Sequence, residues 1–474
     1  MKPFLITILS ILVSSGPAMS AEKTSFLRDV APILLRRCAG CHGPKRAEGN
    51  YRVHTFEYLT GAGDSGQATV VNGKPKSSEL LRRILSKDAD ERMPQLDDPL
   101  SSGDAEKIRR WIAAGAKFDG KDKVASLRSQ LPPRNHPAAP KRYRLPPPVF
   151  AMAISPDGKE LSIGGYHEVT VWNPRTGKLI RRIGGLPQRI YQMVYTSDGS
   201  QLIIGGGSPG EYGELTVVRP FRPAKAEKHR VLGTFEDCIF GIGLDPQEKR
   251  VVAVAANRVT RGYQLSSGKK LWQSRLHSDW VTAVSFSADG RFVTSCSKDM
   301  TVKVLSSDKG KLFTTYNGHM KQYGKFTGRF RVYSIVSDTQ SKQTLSAGEG
   351  KTIRVWDPVK AEKESGTAAD MEQRFSKEGH TRYIVHGHSK PVYKMVARGG
   401  TVLTASADGT VSQFDIKSLK KLRTYSGHRD WVFSVDYHPQ AQLVVAGSYD
   451  GEIRVWDARN GKTISSFFAA PGHK

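Results

Sequence analysis

The segment RRCAGCHGP, residues 36–44, places Cys38 and Cys41 two residues apart, with His42 directly after the second. Two thiols at that spacing lie across one helical turn, so both sulfurs can meet the edge of a single planar macrocycle. They can add to its two vinyl groups as thioethers, and the His42 imidazole then comes beneath the central iron as proximal ligand. C-x-x-C-H is therefore read as a covalent attachment site for haem c, one haem for one copy of the motif. A thioredoxin-like dithiol needs a βαβ context, which the surrounding sequence lacks. Structural zinc needs two more ligands, and the remaining cysteines, Cys238 and Cys296, lie far along the chain. These two are expected as separate buried thiols, since their strands belong to different repeats.

A sixth iron ligand has two candidates. Met93, in DERMPQLDDP, is the only methionine between His42 and residue 121. Pro94 is expected to hold the chain extended and present the thioether. His54 is the rival. A Met/His pair raises the potential of a c-type haem.

The elements that must position these residues are helical. Phe26, Val30, Ile33 and Leu34 follow helical spacing up to the motif, and Leu81, Ile84 and Leu85 form a second stripe. A third helix begins at a capping box of Ser101 and Asp104, buries Ala105, Ile108, Trp111 and Ile112, and stops at Gly115. Residues 21–120 thus read as a small all-α domain. Residues 121–148 are proline-rich and basic, and read as an extended linker. From 149 to 474 the chain repeats every 40–50 residues or so. The clearest copies begin GHRDWVFSVDYHP, GHSKPVYKMVARG and HSDWVTAVSFSAD, and each holds four short alternating stretches, the pattern of a four-stranded antiparallel blade. Copies begin near Phe150, Ile190, Cys238, Val281, Arg331, Val392 and Val432. Two inserts interrupt them, SPGEYG and a longer one over roughly 358–382.

The repeats resemble the WD-repeat family of β-propellers. The resemblance implies an all-β, seven-bladed propeller and, in each blade, a hydrogen-bonded chain from Trp to Ser to His to Asp. In the last copy these are Trp456, Ser448, His428 and Asp450. The sixth keeps His388, Ser406 and Asp408, with Phe414 for the tryptophan. The fourth keeps His277, Ser297 and Asp299, with Leu305; the others look looser. VAPILLRRCAGCHGP, SSELLRRI, RMPQ and WIAAGAKF resemble the planctomycete-type cytochrome c domain. That resemblance implies one low-spin haem and electron transfer. Gln95 stands where that family usually has a second proline.

The net charge is +27, which speaks to partners rather than fold. MKPFLITILSILVSSGPAMS, residues 1–20, reads as a cleavable secretory signal, its apolar run about half the roughly twenty residues that span a bilayer. The expectation is an exported, periplasmic protein with no transmembrane segment in the mature chain. Export makes nucleic acid a poor partner for the basic charge. An acidic redox partner protein and peripheral contact with anionic surfaces fit better. The leading reading is an electron-transfer cytochrome rather than a catalyst, its propeller a partner-binding platform. The alternative is the haem subunit of an oxidoreductase whose catalytic site lies in the propeller funnel. A haem-based sensor would need a labile sixth ligand.

Overall fold

The computed structural model describes residues 24–473 except 45, 96, 133, 222–228, 324–325, 358–381 and 385–386. The expected signal at 1–20 and nearly all of the longer insert lie outside the described residues. The chain divides into two compact units, Met1–Arg134 and Asn135–Lys474.

The first unit is helical. A π-helical turn, Phe26–Val30, runs straight into α1 (Ala31–Arg37); α2 (Phe56–Thr60), α3 (Glu79–Leu85), α4 (Ser102–Ala113) and α5 (Leu127–Gln130) follow. Ser25 starts the first turn, its hydroxyl accepting from the Arg28 N–H at 3.1 Å. Asp119 accepts from the Leu27 N–H at 2.9 Å and ties the domain's end to its beginning. Ser101 caps α4 through the Asp104 N–H, as its sequence implies. Gly115 ends the helix at φ +94°, a conformation costly for any residue with a Cβ. The core gathers Phe26, Leu34, Ile108 and Trp111, each essentially inaccessible. Phe26 meets Phe56 edge-on at 4.9 Å and Trp111 at 5.0 Å, offset arrangements that aromatic rings favour.

The structure departs from the extended linker expected at 121–148. Leu127 is fully buried in the helical core, and its N–H donates to the His54 carbonyl at 2.9 Å. The carboxamide oxygen of Gln130 accepts from the N–H groups of Lys121 and Asp122. From residue 135 onward the segment is bonded to the strands instead. Tyr143 donates its hydroxyl to Glu168 at 2.7 Å and its N–H to the Pro471 carbonyl at 3.2 Å. His136 meets Glu214 at 3.2 Å. Prolines promised extension, but the apolar and aromatic residues between them supply anchoring.

The second unit is built of antiparallel sheets. β1 (Met152–Ile154), β2 (Leu161–Gly164), β3 (Tyr166–Trp172), β4 (Leu179–Tyr195), β5 (Leu202–Ser208), β6 (Tyr212–Val218) and β7 (Arg230–Phe235) form one sheet in that order. Two repeats are fused there because β4 serves as the outer strand of the first and the inner strand of the second. Four-stranded sheets follow. Their innermost strands are β8 (Ile239–Leu244), β12 (Val281–Phe286), β18 (Val332–Asp338), β22 (Val392–Arg398) and β26 (Val432–His438). A hairpin, β16 (Met320–Tyr323) with β17 (Phe326–Arg329), precedes β18. The innermost strands touch in the order β1, β4, β8, β12, β18, β22, β26, and β26 touches β1. Ile154 N–H donates to Asp436 and the Ser434 hydroxyl to the Val149 carbonyl, both at 2.8 Å.

The expected polar chains exist, with different members. His277 bonds Asp299 (2.8 Å) and Ser295 (2.9 Å), not Ser297. His388 bonds Asp408 (2.9 Å) and Thr404 (2.6 Å), not Ser406. Side chains two apart share a sheet face. The interior residue therefore meets the histidine, while the terminal serine turns to the tight turn; the Asp408 N–H donates to Ser406. In the last repeat the interior position is Ala446. Ser448 bonds Asp450, Trp456 packs edge-on to His428, the His428 Nδ1 pairs with Glu452 at 3.3 Å, and its Nε2 is buried without a partner. The fifth copy, loose in sequence, holds the fullest chain: Trp356 to Ser346 (3.2 Å), Ser346 to His319 (2.8 Å), and Arg354 to His319 (3.1 Å) where an Asp was expected. The β16–β17 hairpin separates His319 from β18 and hides the spacing.

A buried polar group left unpaired costs about 1–3 kcal/mol. Thr404→Val should therefore destabilise the second unit by that amount. Ala446→Ser should add about 1 kcal/mol by giving the His428 Nε2 a partner. Denaturant unfolding of the single variants checks both.

Burial opposes ionisation of Asp299 and Asp408, yet the paired histidine and threonine hold both carboxyls well below the usual range. A lowered carboxyl pKa stabilises the fold above its unfolded value, near pH 4, and that contribution is lost as pH falls through the lowered folded value. Asp408→Asn should therefore flatten the acid limb of the stability–pH curve below about pH 4.

Candidate functional site

Cys38 ends α1, its N–H still bonded to the Leu34 carbonyl at 2.9 Å. The Cys38 carbonyl then accepts from Cys41 (3.3 Å) and His42 (2.9 Å), so both thiols and the imidazole project from one turn at the helix end. Gly43 permits the turn to close: a Cβ there would stand 2.3 Å from the Ala39 carbonyl oxygen. The chain folds back beside it. His42 forms a β-bridge with Ala47, and its carbonyl accepts from the Val53 N–H at 2.8 Å. Tyr51 packs against the His42 ring at 5.4 Å and donates its hydroxyl to the Leu59 carbonyl at 3.0 Å. Both thiols are free; burial pushes the Cys38 thiol up to about 12, against the opposing charge of Arg37.

Met93 comes from another part of the unit, residues 86–101 between α3 and α4. Its N–H is held by the Arg83 carbonyl at 3.0 Å and its side chain is half-buried. The Met93–Pro94 peptide bond is cis. His54 follows Val53 on the returning segment and stacks on Tyr58 at 5.2 Å. Burial, reinforced by Arg52, lowers its basicity.

Four buried side-chain nitrogens in this unit have no hydrogen-bond partner: His42 Nδ1, His54 Nδ1, Arg37 Nε and Arg92 Nε. Folded proteins rarely leave such atoms unpaired. Arg37 and Arg92 were not singled out by their sequence; the signal was adjacency, one beside Cys38 and the other beside Met93. Arg37 also pairs with Asp97 at 3.1 Å and bonds the Asp98 carbonyl, fastening the Met93 loop to α1. Two thiols, an imidazole, a thioether and guanidiniums suited to carboxylates make a donor set that fits a haem with its propionates.

Residues 38–97 match the family described as Planctomycete cytochrome C, and residues 268–306 and 419–457 match the WD domain, G-beta repeat. The chain joins a planctomycete cytochrome C domain to WD repeats. That family implies haem binding in the cytochrome domain. Among curated relatives, the serine-threonine kinase receptor-associated protein of Mus musculus is 24% identical over 260 residues, 49% of this chain and 71% of that protein. Cell division control protein 4 of Saccharomyces cerevisiae is 28% identical over 222 residues, 45% and 27%. The guanine nucleotide-binding protein subunit beta of Zea mays is 23% identical over 263 residues, 53% and 63%. Outside the cytochrome domain Cys238 and Cys296 are separate buried thiols, Cys296 contacting the Thr282 hydroxyl at 3.4 Å. Among the described residues no three or more His, Cys, Asp and Glu side chains are grouped to hold a metal ion, and no helix is long and apolar enough to cross a membrane.

Proposed function

We propose that this protein is an exported c-type cytochrome that carries single electrons, with its WD-repeat unit as a platform for a partner. The observation that carries the reading is the donor set of the cytochrome domain together with its four unpaired buried nitrogens. In this reading Cys38 and Cys41 hold one haem covalently, His42 is the proximal iron ligand and Met93 the distal one. Bound there, haem c supplies a one-electron iron couple. Tyr51 fixes the His42 ring plane from one side. Arg37 and Arg92 offer guanidinium nitrogens to the propionates, and Arg37 holds the Met93 loop closed against α1.

The serial contact of innermost strands, last against first, supports a closed ring of seven blades. The relatives' names favour protein partners for the WD repeats. On the cytochrome domain a groove of about 760 Å³ is lined by Lys74, Lys76, Arg82 and Arg109 beside Leu85, which is 58% exposed. Arg82 is paired with Glu79 and Glu91 and Arg109 with Glu106, so the positive edge offered to an acidic redox protein rests on Lys74 and Lys76.

The test is the visible spectrum of the purified reduced protein with and without carbon monoxide, plus an alkaline pyridine assay of haem per chain. One haem and a spectrum unmoved by carbon monoxide support a six-coordinate carrier. A spectrum that shifts fully with the gas would sink it in favour of an open, catalytic or sensing haem.

A further inference from the structure

Phe150, Tyr191, Phe240, Tyr333, Tyr393 and Phe433 occupy one repeated position. Each directly follows a fully buried Val or Ile, and each is half-exposed. Their rings run in an unbroken series. Tyr333 to Tyr393 is 5.8 Å, Tyr393 to Phe433 4.6 Å, Phe433 to Phe150 5.3 Å, Phe150 to Tyr191 5.6 Å and Tyr191 to Phe240 5.0 Å. Trp280 extends it at 5.5 Å from Phe240. Thr282 holds the same position on β12 and leaves the gap. An exposed apolar array of this extent marks a binding surface.

A channel of about 570 Å³ is lined by Gln192, Gly241, Ala283, Ser334 and Lys394, each one residue past the repeated position, and on the other two strands by Met152 and Val435. Lys394 donates its ammonium to the Gln192 carboxamide, from β22 to β4, so the two form a polar bridge one residue past Tyr393 and Tyr191 of the aromatic collar. Burial pushes the Lys394 ammonium down to about 8, against the opposing pull of Cys296 and Asp436. Asp436 is itself paired with Arg398 at 3.3 Å.

We propose that the collar and Lys394 form a binding site for a small planar aromatic anion, its ring stacked on the collar and its carboxylate or phenolate on the Lys394 ammonium. Aromatic faces alone would suit a cation. Here a cation would meet Lys394, and the face of Trp280 already carries the Lys298 ammonium at 3.6 Å. A neutral ring would gain the stacking without the charge-assisted hydrogen bond, the stronger of the two kinds.

The probe is 2-naphthoate, titrated by calorimetry into the full-length protein. Methyl 2-naphthoate, cyclohexanecarboxylate and tetramethylammonium serve as comparisons. Saturable 1:1 binding of naphthoate, about tenfold or more tighter than each comparison, is the expected result. Lys394→Met should weaken naphthoate about tenfold or more and leave the ester unchanged. Lys394→Arg should keep binding. Phe433→Leu should weaken naphthoate and not cyclohexanecarboxylate. The proposal is overturned if the wild type does not saturate with naphthoate or prefers tetramethylammonium. It is equally overturned if Lys394→Met binds naphthoate as tightly as the wild type. None of these readouts depends on the haem site, so its reading stands or falls separately.

Discussion

Replacing Cys38 and Cys41 together by alanine should leave essentially no haem on the polypeptide after denaturation and extraction with acidic acetone. The wild type should retain about one per chain, on the one C-x-x-C-H motif. The two thiols leave the same turn at the end of α1, and no disulfide competes for them. Haem held only by His42 and Met93 dissociates once the fold is lost, because coordination needs both segments in place. Each single variant should keep one thioether and part of the covalent haem. Wild-type protein that surrenders all its haem to the solvent would refute covalent attachment.

Met93→Ala should convert a reduced protein that ignores carbon monoxide into one that binds it nearly completely. It should also lower the reduction potential, since thioether ligation favours ferrous haem. The oxidised wild type should show the near-infrared charge-transfer band of methionine on ferric haem, and the variant should lack it. His54→Ala separates the alternatives. If that variant opens the iron and Met93→Ala does not, His54 is the distal ligand. Met93 stands on a loop fastened by the Arg83 carbonyl and by Arg37, so the variant should remain folded.

The cytochrome family was legible because its motif is local: five consecutive residues carry the spacing, and the fold needs only to end a helix there. The cap at Ser101 and the stop at Gly115 were legible for the same reason. The polar chains of the repeats were half legible. His277, Asp299, His388 and Asp408 announce themselves by position. The hydroxyl between ring and strand does not, because Ser295 and Ser297, or Thr404 and Ser406, lie on the same face and differ only in depth. His319 was obscured by a hairpin inserted between it and its strand. The linker misled because proline fixes backbone shape but says nothing of what Leu127 and Tyr143 bury against. The aromatic collar escaped notice for a different reason. Its members are one per repeat, and only the closing of the strands around a channel sets them side by side.

The first and last sheets share no strand: β1 to β7 and β26 to β29 (Thr463–Phe468) are separate ladders. What joins them is side chain and segment. Ser434 reaches Val149, Asp436 reaches Ile154, and Tyr143 fastens the Pro471 tail to Glu168. The closure is thus a latch rather than a weld. The same seam also shares one apolar core, Ile154, Leu161 and Trp172 with Leu443, Val445 and Val455, so opening it exposes that core while leaving each sheet's ladder intact. Closing and opening become events that a short segment, residues 135–149, can govern from outside the strands. Whatever tugs on that segment handles the clasp of the whole unit.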